Sequence, residues 1–215
     1  RSAVIEALGD HNAHYAYDTL VEIAKLDGPL LDDTALTLGK IGDKRAVDVL
    51  AGLQRTASRT AQPYIAAGLC LLGVNCDAHE RYLKETLESS DANGGTQELL
   101  RAAASSLGTL AVRGRASAAA TLLAIGIPSR DPARAPIALA VAAVALRNTP
   151  LLLPLLETHP RREEAIALMA EGFEMLEEDL DKERFFALAR RTYWQAAEGS
   201  PTRSLMQTLI GTLDF

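Results

Sequence analysis

The sequence has few aromatic residues and few cysteines, and it has no long apolar run. Phe, Trp and Tyr make up only 5% of its 215 residues, so alanine and leucine must fill the interior, which suits closely packed helices better than sheets. Two cysteines, Cys70 and Cys76, are too few for a disulfide framework, and we expect reduced, inert thiols in a cytoplasmic protein. The longest apolar stretch, residues 135–146, is shorter than the roughly 20 residues that span a bilayer.

The sequence also lacks the motifs of several enzyme classes. It contains no GxxxxGK[ST] phosphate loop, no dinucleotide fingerprint and no G-x-S-x-G serine motif. His11 and His14, beside Asp10 and Asp18, offer metal ligands on one helical turn, but no third strong ligand follows at a useful spacing. A polar helix start capped by Asp10 is the simpler interpretation. We therefore predict a protein that is not an enzyme and needs no metal or organic cofactor.

Charge limits the choice of partner. The formal net charge is −6 and the pI is about 5.3, whereas a groove that neutralises phosphates needs a strong basic excess. A nucleic-acid partner is therefore not expected, and the short apolar runs predict no membrane partner. At 48% hydrophobic residues, the chain can bury a sizeable core and is not disordered.

What the sequence does contain is a repeated helical pattern. In residues 34–53 one helix ends at Gly42, and Asp43 then caps a second helix whose apolar residues recur at a spacing of three and four, with Leu50 and Leu53 expected in the core. The same pattern recurs upstream at Gly9 and Asp10, and downstream at Gly73 with Asp77 and at Gly108, which gives four copies at 33 to 35 residues. A repeat of this length indicates helical hairpins that bury their apolar faces only by stacking.

The predicted fold is therefore all-α, with about four hairpins in residues 1–126 and irregular helical hairpins of the same array in residues 127–215. The hairpins are expected at residues 1–28, 29–56, 61–89 and 97–126. Ser200 and Pro201 are expected to start the last helix. No polar capping segment precedes the core-type residues Val4 and Ile5, so we expect a fragment of a longer protein that self-associates through its N-terminal end.

Residues 35–47, ALTLGKIGDKRAV, resemble the HEAT repeat, in particular the short bacterial variety known as the phycobilisome-lyase type HEAT-like repeat. The resemblance is closest over residues 29–56, fair over 1–28 and 61–89, loose over 97–126, and lost beyond Gly126. It implies a right-handed α-α superhelix, with Gly39 at the repeat turn and with Asp43 and Arg45 tying adjacent repeats together.

In such a solenoid, the second helix of each hairpin lines a concave wall. The residues opposite the apolar stripe of these helices are our candidate binding residues, and their mixed charge suits a protein partner: Asp18, Glu22, Asp48, Arg55, Lys84 and Glu88. We therefore predict a non-catalytic protein-protein interaction scaffold. The resemblance implies an alternative, a lyase or chaperone-like subunit acting on a chromophore-bearing protein, because phycobilin lyases share this repeat type.

Two further features leave alternatives open. His79-Glu80 resembles the pairs that hold iron in deoxyhypusine hydroxylase, a HEAT-repeat enzyme, but that site needs several pairs and this chain has one. The C-terminal region concentrates large aromatic residues, which either plug the end of the solenoid or anchor a partner: Phe173, Phe185, Phe186, Tyr193 and Trp194.

Overall fold

The computed structural model describes residues 1–93 and 97–214. Every regular element in these residues is helical, which confirms the all-α prediction, and the cause is the spacing of three and four between apolar residues. Among the described helices, no single one is both long and apolar enough to cross a bilayer. The ninth and tenth helices reach that length only together, and they are bent by 117° at the break between them.

The described residues form thirteen α-helices and one 3₁₀ turn, His14–Ala16, which leads into the second helix. In chain order the α-helices are α1 (Ser2–Asp10), α2 (Tyr17–Lys25), α3 (Leu31–Ile41), α4 (Ala46–Leu53), α5 (Gln62–Leu71), α6 (Cys76–Asn93), α7 (Gln97–Val112), α8 (Ala116–Gly126), α9 (Arg134–Arg147), α10 (Thr149–Thr158), α11 (Arg162–Met175), α12 (Asp179–Gln195) and α13 (Pro201–Leu213).

The chain divides into two compact units, residues 1–110 and 111–215, and the division falls within α7. The four segments in which hairpins are predicted correspond to the helix pairs α1–α2, α3–α4, α5–α6 and α7–α8. The fourth predicted hairpin therefore crosses the boundary between the units.

In the first unit, the first helices of successive hairpins pack against one another, α1 on α3 and α3 on α5. Thr37 donates its hydroxyl to the carbonyl oxygen of Ile5 over 3.0 Å. At the next step, α3 and α5 touch through their backbones, since a Cβ built on Gly39 would lie 2.7 Å from the Cα of Gly68. Leu50 is fully buried as predicted, whereas Leu53 is only partly buried at the edge of the core.

The residues that turn the chain after the first helix of each hairpin have a positive φ, which favours glycine or asparagine. They are Asn12 (φ 50°), Gly42 (78°), Gly73 (82°) with Asn75 (40°) in the same turn, and Gly114 (105°). The first of these residues in each turn lie 30, 31 and 41 residues apart, so the turns themselves do not follow the predicted spacing of 33 to 35 residues. Because asparagine tolerates the left-handed conformation, the first turn needs no glycine.

Gly9, Gly39 and Gly108 were predicted at repeat turns, and all three lie inside helices. Gly9 is buried where α1 meets α3, and a Cβ there would lie 3.1 Å from the hydroxyl of Thr37. Gly9 and Gly39 each stand three residues before a turn residue, Asn12 and Gly42. These two glycines therefore permit close helix packing instead of ending a helix.

The aspartates beside these turns differ in role from the prediction. Asp10 is the last residue of α1 and caps no helix; its carboxylate pairs with Lys40 of α3 at 2.8 Å. Asp43 accepts the backbone N–H of Arg45 over 3.0 Å, in the turn before α4 begins at Ala46. Asp77 lies in the first turn of α6, which begins at Cys76.

The prediction of two reduced thiols is wrong, because Cys70 and Cys76 form a disulfide, with their Cα atoms 4.1 Å apart. The left-handed turn at Gly73 brings the first residue of α6 back to the last turn of α5. A spacing of six residues in the sequence gives no sign of this turn. The cytoplasmic prediction loses the support of reduced cysteines and stays a prediction.

In the second unit, α9 packs against α8, α10, α11 and α12, and α13 packs against α11 and α12. The crossing of α9 and α11 is tight, because a Cβ on Gly172 would lie 2.1 Å from the carbonyl oxygen of Ala138. Phe173 and Phe185 are buried and meet edge to face, with ring centroids 5.3 Å apart. The hydroxyl of Ser200 accepts the backbone N–H of Arg203 over 3.2 Å, which confirms the predicted start of α13.

Candidate functional site

All six candidate binding residues are exposed. Asp18 and Glu22 lie on α2, Asp48 lies on α4, Lys84 and Glu88 lie on α6, and Arg55 lies in the turn after α4. Lys84 and Glu88 approach each other to 3.9 Å along α6. The carboxylate of Asp18 lies 4.0 Å from the guanidinium of Arg45, which is not among the six candidate binding residues.

Arg45 is the centre of a cluster that joins the first two hairpins. Its guanidinium stacks over the ring of Tyr17 at 4.0 Å, a cation–π arrangement. Its Nη2 donates to Asp43 over 2.7 Å, and this hydrogen bonding holds the pKa of the Asp43 carboxyl below its usual value. Since Tyr17 and Asp18 belong to α2, Arg45 contacts the preceding hairpin, the kind of tie that the HEAT resemblance implies.

A second link joins the next two hairpins. The ammonium of Lys44 donates to the carbonyl oxygen of Leu72, at the carboxyl end of α5. That end of the helix carries unpaired carbonyl groups and partial negative charge, so a cation is favourable there. Lys44 and Arg45 are adjacent in the sequence, in the second hairpin. Lys44 contacts the hairpin that follows, and Arg45 contacts the hairpin that precedes.

An open cleft of about 680 Å³ lies at the first hairpin. It is lined by α1 and the turn that follows, including Val4, Leu8, His11, His14 and Tyr15. Val4 and Tyr15 are exposed, whereas Ile5 is buried in the core. Among the side chains that the structure describes, residues 1–89 and 97–214, no cluster of three or more from His, Cys, Asp or Glu has the geometry to hold a metal ion. His11 and His14 line this mostly apolar cleft.

His79 and Glu80 lie near the start of α6, which begins at Cys76. Partial burial lowers the pKa of His79 below its usual value, which favours the neutral imidazole at neutral pH. Glu80 is buried. The pair therefore lies at a helix start that packs into the first unit.

Sequence reasoning missed a pair of carboxylates at the start of α3. Burial, and then the neighbouring charge of Asp33, raise the pKa of Asp32 to about 6. Burial and these two carboxylates also raise the pKa of Tyr64, on α5, to about 12. Two adjacent aspartates in a first helical turn normally remain in solvent, where their negative charge interacts favourably with the helix dipole. The sequence does not show that α5 covers this turn.

Sequence reasoning also missed a line of exposed residues on α12. Leu180, Arg184, Ala187, Arg191 and Trp194 follow one another at intervals of four, three, four and three residues, and all five are exposed. We call them the α12 stripe. Leu180 is 67% exposed and Trp194 is 76% exposed. The helical spacing of these five residues is visible in the sequence. Grouping Trp194 with the other aromatic residues of the C-terminal region hides it, because those residues lie on other faces of their helices.

The comparisons with known proteins supply no family. No protein-family model matches the chain, and neither a curated protein nor a solved structure shows significant similarity to it.

Proposed function

We propose that the first unit is a stretch of right-handed HEAT-like solenoid and that the chain is a non-catalytic protein-protein interaction module. The supporting observation is the succession of α1, α3 and α5, each packed against the next. A hairpin that stacks on both neighbours in this way extends an array, and arrays of this kind present long exposed helix faces to partners.

The contacts between hairpins support this proposal in detail. Thr37 bonds to Ile5 between the first and second hairpins, and Gly39 meets Gly68 between the second and third. Arg45 reaches back to Tyr17, and Lys44 reaches forward to Leu72. Each step is therefore made by residues of α3 and of the turn that follows it, which is the segment that resembles the HEAT repeat most closely.

The proposed binding face is formed by the exposed sides of α2, α4 and α6. Its charges are acidic on α2 and α4, at Asp18, Glu22 and Asp48, and mixed on α6. Surface charge of this kind contributes mainly to partner selection and to the rate of association. The partner that suits it is a protein whose surface carries basic side chains opposite α2 and α4.

The test is affinity capture by three forms of the chain. One form is unchanged, one carries Asp18→Lys, Glu22→Lys and Asp48→Lys, and a matched control carries the same reversals at the exposed residues Glu163, Glu174 and Glu198 of the second unit. We expect a partner that both the unchanged chain and the control retain and that the α2–α4 variant loses. Circular dichroism shows whether each form keeps its helix content.

Two results would contradict the proposal. Capture that is equal in all three forms would show that this face is not the binding surface. A bound bilin with a shifted absorption spectrum would favour the alternative, a lyase or chaperone-like subunit for a chromophore-bearing protein.

A further inference from the structure

The α12 stripe has the geometry of a helix-packing surface. Its intervals of four, three, four and three residues give a period of 3.5, which lets a second helix lie along the first. From Leu180 to Trp194 the stripe is about 21 Å long at 1.5 Å per residue. Leu188, 42% exposed, lies beside it. Single exposed apolar residues are ordinary on protein surfaces, but α12 exposes three large ones on or beside this face, Leu180, Leu188 and Trp194, with the two arginines of the stripe between them.

Trp194 is exposed beside a tyrosine that α13 holds. The guanidinium of Arg203, on α13, lies over the ring of Tyr193 at 4.7 Å, and Arg203 also donates to the carbonyl oxygen of Ala196. The ring of Trp194 meets that of Tyr193 edge to face, with centroids 5.2 Å apart. Tryptophan is enriched among the residues that dominate binding energy at interfaces, which makes Trp194 a favourable anchor.

The two arginines of the stripe determine what can cover it. A partner helix that buried Arg184 or Arg191 against apolar side chains would leave an uncompensated buried charge, which is strongly unfavourable. Arg184 has an ion pair with Asp181 at 3.1 Å, but its side chain remains exposed. A partner with carboxylates opposite both arginines avoids this cost.

We propose that the α12 stripe binds an acidic amphipathic helix of a partner protein, whose apolar residues contact Leu180 and Trp194 and whose carboxylates pair with Arg184 and Arg191. The inference rests on the proposed interaction function and adds a second surface to it. It predicts a partner helix of about four turns, the length that covers 21 Å.

Two other occupants fit the stripe less well. In a second copy lying antiparallel, Arg184 would face Arg191 across the contact, and in a parallel copy each arginine would face itself. Both arrangements place like charges together. A flat anionic membrane surface would meet, together with the arginines, the acidic residues beside the first two turns of α12, which are Glu177, Asp179, Asp181 and Glu183. A helix, in contrast, can confine its carboxylates to the positions opposite Arg184 and Arg191.

The chain contains a single tryptophan, so its intrinsic fluorescence reports on the stripe directly. The probe is a synthetic helical peptide of about 18 residues, built from leucine, glutamate and alanine, with leucines at alternating intervals of three and four. We expect a saturable blue shift of Trp194 emission. A counterpart peptide with lysine in place of glutamate should bind at least about tenfold more weakly, because like charges would then meet.

The matched variants test the arginines. Arg184→Glu with Arg191→Glu should weaken binding of the acidic peptide at least about tenfold and improve binding of the lysine peptide. The control, Arg59→Glu with Arg81→Glu, changes two exposed arginines of the first unit and should bind as the unchanged chain does. Leu180→Ala should weaken binding of both peptides while the fluorophore stays intact.

Four outcomes would overturn the proposal. They are no response to the acidic peptide, an equal response to both peptides, a blue shift with phosphatidylserine vesicles but not with peptide, and a concentration-dependent blue shift with dimer formation in sedimentation. If the stripe fails this test while capture still depends on the α2–α4 face, the interaction function stands without it. If capture fails while the peptide binds, the stripe is the interaction surface.

Discussion

The backbone contact between α3 and α5 is the feature of the first unit most sensitive to a single added carbon atom. A Cβ built on Gly68 would lie 2.5 Å from the carbonyl oxygen of Ala35 and 3.0 Å from the Cδ1 of Leu50. The leucine side chain can rotate away, but the carbonyl is fixed by its own helix. Gly68→Ala therefore forces α5 away from α3 along their line of contact.

The expected effect of Gly68→Ala is a lower free energy of unfolding. Overpacking a close contact costs about 1 to 3 kcal/mol, and replacing a helical glycine with alanine returns about 0.5 to 1 kcal/mol. The net loss should therefore lie between about 0 and 2.5 kcal/mol, and toward the upper end because the atom met at 2.5 Å belongs to the backbone. Gly39→Ala should act in the same way, and the double variant should lose less than the sum, because one displacement relieves both contacts.

Gly52→Ala is the matched control. Gly52 lies in α4 of the same unit, and a Cβ there would meet nothing within 4 Å. This substitution should stabilise the chain by up to about 1 kcal/mol through helix propensity alone. The two variants thus differ in the sign of their effect although the chemical change is identical.

The measurement is hydrogen exchange resolved by peptide, together with urea unfolding followed by circular dichroism. Peptide resolution is needed because a chain with two compact units need not unfold in one transition. Gly68→Ala should reduce protection in α3 and α5. If Gly68→Ala is as stable as Gly52→Ala, the two helices do not touch through their backbones and the proposed stacking of hairpins loses its tightest contact.

Three further predictions concern single interactions. The pKa of Asp32 is about 6 in the fold against an ordinary value of 3.8, so the folded state penalises its ionised form. This cost builds up from about pH 4 to about pH 6 and is constant above that, so Asp32→Asn should raise the free energy of unfolding at pH 7 by about 1 to 2 kcal/mol after solvent screening. That gain should disappear in denaturation curves below pH 4, and a gain that persists there would exclude the titration. Arg134 donates two hydrogen bonds of 2.7 Å to Glu171 and others to backbone carbonyls, so Arg134→Ala should cost about 2 kcal/mol in urea unfolding. Arg134→Lys should recover only part of this, because an ammonium lacks the planar fork that meets both carboxylate oxygens and the backbone carbonyls together. Alkylation of the unfolded chain should add no mass before reduction and two alkyl groups after it, and reduction of the Cys70–Cys76 bond should cost about 2 kcal/mol for this short loop; two groups added without reductant would show free thiols.

Features set by composition and local chemistry could be predicted from the sequence. Alanine and leucine at helical spacing gave an all-helical chain, and glycine at 42 and 73 marked left-handed turns. The turn at Asn12 was assigned to Gly9, because glycine is the stronger turn signal and the two lie only three residues apart. A glycine needed for a left-handed turn and one needed for close packing look alike in a sequence.

Features that depend on a neighbouring helix could not be predicted. Asp32 has a raised pKa because α5 covers the start of α3, and the disulfide forms because the turn at Gly73 reverses the chain. Neither cause is local to the residue concerned. The six charged candidate residues are chosen because they lie opposite an apolar stripe, and all six are exposed, although Arg55 lies in the turn after α4 and not on a helix. That reasoning uses only the local segment that carries each residue.

The aromatic residues of the C-terminal region show how both open interpretations can apply within a single helix. Phe185 and Ala189 are four residues apart on one side of α12 and are buried, and Phe185 packs against Phe173 of α11. Trp194 lies five residues beyond Ala189, which at 100° per residue turns it to the opposite side, where Leu180 and Arg191 are exposed. Phe173 and Phe185 therefore fill the interior of the second unit, and Trp194 is exposed, as the proposed contact with a partner requires. Counting aromatic residues over the segment combined two groups that the helical period separates.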